Sequence, residues 1–193
     1  MIIALVGPSG AGKSLVEKML CEQCDYDKMI SYTTRKPRTG EEYGKDYYFI
    51  NNELFDAMIN DGAFAEYEEY SQKRFYGTVK EGYESSTDKV VVLTPNGFRQ
   101  LKRNCNLDNI VTVMITANLG TRVKRYIDRC GVKEFNFDDA NEIFARINRD
   151  FGMFFGVQDE VDLVVDNSQG KPIADVVGEI LTYIATSKSE NSL

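Results

Sequence analysis

The 193-residue sequence contains no histidine. That excludes imidazole general-base catalysis, every histidine-containing zinc site and the usual acyl-transfer triads. Phosphoryl transfer loses nothing, because positioning and charge neutralisation do most of its work. Cysteine is scarce, with four residues: Cys21, Cys24, Cys105 and Cys130. Cys21 and Cys24 have C-x-x-C spacing, but no second pair follows at zinc-site spacing, so reduced thiols are expected. No apolar run is long enough to span a bilayer, and the start lacks a basic segment with a cleavage site. This reads as a cytoplasmic protein without a membrane partner. Excess positive charge is also missing: the net charge is −7. Nucleic acid is therefore not the expected partner, although a local basic pocket remains possible.

What is present is ordinary for a globular enzyme, with 42% hydrophobic and 27% charged residues. The beginning is not ordinary. Ile2-Ile3-Ala4-Leu5-Val6 is an apolar strand that runs into Gly7-Pro8-Ser9-Gly10-Ala11-Gly12-Lys13-Ser14, a full G-x-x-x-x-G-K-S phosphate loop. Its glycines let successive backbone N–H groups turn around a polyphosphate, with Gly7, Ser9, Gly10, Ala11, Gly12, Lys13, Ser14 and Leu15 as the nucleotide-binding residues. Lys13 is expected to reach the β- and γ-phosphates, and the Ser14 hydroxyl to complete the shell of a magnesium ion. The implied ligands are ATP as phosphate donor and Mg2+. A helix starting at Lys13 adds its N-terminal N–H groups to the cradle.

Further along, near-continuous apolar runs at 89–94, 109–115 and 161–165 alternate with helical patterns at 98–103, 119–129, 138–154 and 173–184. On the 138–154 helix, Ala140, Ile143, Phe144 and Ile147 share a face. This alternation, with the phosphate loop after the first strand, predicts an α/β fold: a three-layer parallel sheet covered by helices on both faces. Residues 28–32 read as a strand, 63–70 and 74–76 as an antiparallel pair, Asn51 as a helix N-cap, and Thr78 as the cap of a short helix. Residues 35–88 differ in texture, rich in tyrosine, glycine and paired arginines. The expected organisation is a phosphate-loop core (1–34 and 89–193), an acceptor-binding insertion (35–88) and a lid (130–138).

Ser31-Tyr32-Thr33-Thr34-Arg35-Lys36-Pro37-Arg38-Thr39-Gly40-Glu41, followed by Gly44-Lys45-Asp46-Tyr47, closely resembles the acceptor-phosphate motif of the guanylate kinase family. The resemblance runs from residue 1 to about 185. It implies transfer of the ATP γ-phosphate to a nucleoside monophosphate, with GMP or dGMP as first expectation. On matching positions, Arg35, Arg38, Tyr47 and Tyr76 hold the acceptor phosphate. Ser31, Glu66 and Thr78 contact the base, with Glu66 accepting from guanine N1–H and the 2-amino group. Lys13, Arg125, Arg129 and Arg146 clasp the transferring phosphates. Arg149 replaces Arg146 if its helix is turned by one register. The physics agrees: guanidinium forks pair bidentately with a phosphate monoester, and tyrosine hydroxyls add donors without charge.

One segment departs from the family pattern. Where Leu-Asp-Ile-Asp usually ends the central strand, this chain has Leu93-Thr94-Pro95-Asn96. Both carboxylates are missing, and Thr94 or Asn96 would have to meet the base or a metal-bound water. Another acceptor, such as dTMP or a modified deoxynucleotide, is the competing enzymatic reading. A catalytically inactive phosphopeptide-binding module is the remote one, since the phosphate loop is intact. A GTPase is disfavoured by the lack of an N-K-x-D segment. Near the end, Asp166-Asn167 reverses the polar pair of a family segment beside the adenine pocket. A monomer and a homodimer are both compatible with the sequence.

Overall fold

The structure, a computed structural model, describes residues 1–38, 40–71, 74–84, 86–106, 108–130 and 137–190. Side chains are described for all of these except 70, 71, 129, 130, 137, 138, 142 and 188–190. Strand β1 (Ile2–Val6) is buried along its whole length. Ile3 and Leu5 enter one core with α1 (Lys13–Gln23) and α7 (Ile173–Glu190). Ile2, Ala4 and Val6 enter another with α4 (Pro95–Asn104). Alternate side chains of a strand point to opposite faces, so an apolar residue at every position requires helices on both sides.

The main sheet is parallel throughout, in the order β2 (Asp27–Lys28), β7 (Lys89–Val92), β1, β8 (Ile110–Thr116), β9 (Leu163–Asp166). A second sheet has the order β4 (Tyr48–Phe49), β3 (Tyr32–Thr33), β6 (Arg74–Val79), β5 (Phe64–Ser71), with β6 antiparallel to both neighbours. Helix α2 (Asn52–Asn60) packs on it through Phe55, stacked on Phe64 at 4.5 Å. Asn51 caps α2, its Oδ1 accepting from Leu54 N at 2.9 Å. The remaining elements are α3 (Lys80–Tyr83), α5 (Leu119–Cys130), α6 (Phe137–Met153) and a 3-10 turn at Val157–Asp159.

Several expectations shift. The single strand expected over 28–32 divides between the two sheets: Met29 N still bonds Val90 O, but two residues later Ser31 Oγ lies 2.9 Å from Thr78 Oγ1. Thr78 is not a helix cap; it lies within β6, and α3 starts only at Lys80. The helix expected from 98 starts at Pro95, because Thr94 Oγ1 accepts from Gly97 N at 3.0 Å and Pro95 fits the first helical position. On α6, of the four residues expected on one apolar face, Ile143 is buried but Phe144 is 62% exposed. Of the expected lid, residues 131–136 lie outside the described residues.

Candidate active site

The loop after β1 is held from its flank. Asn167 Nδ2, at the end of β9, donates to Ala11 O at 2.8 Å. Arg125 Nη1, on α5, donates to Gly10 O and Ala11 O at 3.2 and 3.1 Å. Lys13 Nζ folds back to donate to Gly7 O and Pro8 O. With its carbonyls engaged this way, the loop can turn N–H groups toward an anion. Gly12 caps α1 in the left-handed region at φ 101°, and a Cβ there would stand 2.3 Å from Asn167 Nδ2. Only glycine meets both demands.

Beside the loop lies a cavity of about 590 Å³. Gly7, Ser9, Lys13 and Ser14 line it on the donor side. Ser31, Arg35, Arg38, Tyr47, Glu66 and Tyr76 line it on the acceptor side, with Arg146 from α6. Gly10, Ala11, Gly12, Leu15, Thr78 and Arg125 do not line it, although Arg125 reaches the loop from behind. The side chain of Arg129 lies outside the described residues.

Arg35 is held by neighbouring side chains. Its Nη1 and Nη2 donate to Glu41 Oε2 and Oε1 at 2.6 and 2.7 Å, and its Nε donates to Tyr76 Oη at 3.1 Å. Its guanidinium carbon sits 5.1 Å from the centre of the Tyr47 ring. Hydrogen bonding to Arg35 pulls the Glu41 carboxyl down to about 2. Arg38 is exposed, its backbone N donating to Glu41 Oε2 at 2.7 Å. Glu41 thus organises both arginines. Replacing Tyr76 with phenylalanine removes one of the bonds holding Arg35. The expected outcome is an acceptor KM raised about three- to tenfold with little change in the KM for ATP, read from steady-state kinetics.

Glu66 is 6% exposed, at the junction of β5 and the start of α4. Burial pushes its carboxyl up to about 7, against the opposing pull of hydrogen bonds from Thr78. A Cβ on Gly97 would stand 2.7 Å from Glu66 Oε2, so the missing side chain at position 97 makes room for the carboxylate. Thr78 is fully buried and bonds both Glu66 and Ser31, so it stands behind the carboxylate rather than facing the cavity. Of the segment that departs from the family pattern, Thr94 and Pro95 line the cavity while Asn96 is exposed elsewhere. The Thr94 hydroxyl is the α4 cap.

The cavity also takes in Arg149, the expected substitute for Arg146, and residues that sequence reasoning passed over: Glu17, Lys28, Asp46, Glu68, Arg74 and Asp150. Glu17 stands one turn after Ser14 on α1, and burial raises its carboxyl while Lys28 pulls it back. Its place at i+3 from Ser14 was a usable signal. Asp150, by contrast, has no local signature. Its meaning lies in its partners, Arg122 and Ser9 N.

The parallel sheet, the loop at its first strand and the arginine-lined cavity beside it define a phosphate-loop α/β protein. This chain belongs to the guanylate kinase family, whose sequence model, described as Guanylate kinase, matches residues 1–182. It is 34% identical over 174 residues to a guanylate kinase of Enterococcus faecalis (strain ATCC 700802 / V583), covering 86% of this chain and 84% of that one. It is 41% identical over 110 residues to a guanylate kinase of Clostridioides difficile (strain 630), covering 54% of this chain and 53% of that one. The matched part thus spans about half the length of the latter relative. A crystal structure of guanylate kinase from Anaplasma phagocytophilum superposes with a TM-score of 0.64 at 21% identity, covering 97% of this chain and 85% of that one. An uncharacterized protein from Eubacterium ventriosum ATCC 27560 does so at 0.56 and 17%, covering 96% and 98%. Both share the fold. Among the described residues, no helix is long and apolar enough to cross a membrane.

Proposed function

We propose that this chain is an ATP-dependent nucleoside monophosphate kinase with GMP or dGMP as acceptor. The observation that carries the reading is one cavity lined at one end by the phosphate loop and at the other by Arg35, Arg38, Tyr47 and the buried Glu66. In the reaction an acceptor phosphate oxygen attacks the γ-phosphorus, the bond to the β,γ-bridging oxygen breaks, and ADP leaves. The attacking oxygen is already anionic, so no side-chain base is required. Lys13 and Arg146 are the cations that meet the developing charge, with Arg149 beside them. Arg35, held by Glu41 and Tyr76, orients the acceptor phosphate.

Among the described residues, no group of three or more Asp, Glu, Cys or His is arranged to hold a metal. Magnesium takes few protein ligands alongside phosphate oxygens and water. Ser14 is its expected ligand, and the ion supplies charge neutralisation on the donor phosphates. The lack of a carboxylate at 94–96 favours a second reading, a kinase for dTMP or a modified deoxynucleotide. Steady-state kinetics with ATP and magnesium against GMP, dGMP, AMP, dAMP, UMP, dUMP, dTMP, CMP and dCMP decide between them. GMP and dGMP are expected to exceed the rest by about a hundredfold in kcat/KM. A pyrimidine as best acceptor overturns the guanine assignment, and no turnover with any acceptor overturns the kinase assignment.

A further inference from the structure

One cluster of side chains with no role in the reading above ties the Ser9 backbone of the phosphate loop to two helices. Ser9 N donates to Asp150 Oδ2 at 2.9 Å, and Ser9 O accepts from Arg122 Nε at 2.8 Å. Arg122 Nη2 pairs with the same Asp150 oxygen, closing a ring between the loop, α5 and α6. Both side chains are nearly buried, at 11% and 5% exposure. One turn away in each helix, the Arg146 guanidinium lies 5.2 Å from the centre of the Tyr126 ring. The steps 122 to 126 and 150 to 146 are each four residues, so two antiparallel helices meet in register.

Of the described side chains of α6, only Ile143 and Asp150 are buried, whereas Phe144 and Phe151 are 62% and 66% exposed. One of these two buried side chains is therefore a carboxylate seated on a phosphate-loop amide. Arg146 and Arg149, which line the cavity, lie four residues and one residue before that carboxylate. A buried ion pair adds little net stability over an apolar pair of similar volume, but it fixes geometry.

We propose that Arg122 and Asp150 are positioning residues: a strut that docks α6 on the phosphate loop and so sets where Arg146 and Arg149 meet the transferring phosphoryl group. This rests on the kinase reading above. The strut acts on placement in the transition state rather than on nucleotide affinity. A displacement of about 1 Å in such groups lowers the rate by up to about a hundredfold.

The test uses the full chain with Asp150→Asn, Arg122→Met and the apolar double variant Arg122→Met/Asp150→Leu, which strands no charge. Steady-state kinetics with the best acceptor are paired with hydrogen exchange of α6 amides without nucleotide. All three variants are expected to lower kcat about 10- to 100-fold with both KM values within about threefold of wild type. The double variant should be no slower than the slower single one, since the pair acts as a unit. Exchange on α6 should rise about tenfold or more while β1 and β8 keep their protection. The double variant is expected to unfold near the wild-type Tm, which separates placement from stability. A folded double variant with wild-type kcat, or a loss confined to the KM for ATP, overturns the proposal. If the wild-type chain turns over no acceptor, the kinase reading falls, and the exchange measurement alone judges the strut: unchanged α6 protection rejects it.

Discussion

Replacing Lys13 with methionine lowers kcat by about 10²- to 10³-fold, the loss typical of removing one preorganised donor from a transition state that gathers negative charge. Lys13 Nζ donates to Gly7 O and Pro8 O. It is thus held over the loop where donor phosphates would lie. The variant also leaves two loop carbonyls without this donor, a cost of about 1 kcal/mol each in stability. Kinetics and thermal unfolding of the same sample separate the two effects. The rate falls by far more than the stability change explains, and the KM for ATP rises less than kcat falls. An unchanged kcat would remove Lys13 from the chemistry.

Glu66→Gln carries the second large effect, and its pH dependence gives it a sign. The buried carboxyl titrates near 7, raised by burial from an ordinary 4.5. The fold therefore favours the neutral form up to about pH 7. Its contribution to folding stability is fully present below pH 4.5 and is lost as pH rises through 7, amounting to about 3 kcal/mol. Glu66→Gln removes that slope, so the variant is more stable than wild type at pH 8 and similar at pH 4.5.

Guanine recognition runs the other way. The donors at N1–H and the 2-amino group need the ionised carboxylate, so the wild-type KM for GMP falls between pH 6 and 8. Glu66→Gln loses about 10- to 100-fold in kcat/KM with GMP at pH 8, the worth of a charged hydrogen bond. The acceptor phosphate itself titrates near pH 6, so the difference between the wild-type and variant profiles isolates the side chain. A variant that keeps full GMP activity and the wild-type pH profile would take Glu66 out of base reading.

The two predictions draw on different sources. Lys13 was legible because its signal is contiguous: an apolar strand, a glycine pattern and a lysine within thirteen residues. The Arg35 and Arg38 segment was legible for the same reason, as a short motif with a family resemblance. Glu66 was only half legible. Its motif position could be read, but its burial against Gly97 and its support by Thr78 depend on α4 meeting β5. The helix start at Pro95 was missed because Thr94 spends its hydroxyl as a cap, a choice that a side chain makes only once its backbone is placed. Arg122 has no signal of its own in the sequence, because Lys124, Arg125 and Arg129 surround it. A helical stripe of charge looks the same whether it faces water or a buried carboxylate.

The sequence by itself determined the parallel α/β architecture, the phosphate loop and the arginine- and tyrosine-bearing segment that lines the cavity. Hydrophobic period and local backbone chemistry act within a few residues, and those features need nothing more. The tertiary structure alone decided the rest. Arg122 meets Ser9 across 113 positions of the chain, and Asn167 meets Ala11 across 156. Such contacts depend on which helices pack together, and burial then determines how strongly a charge is held.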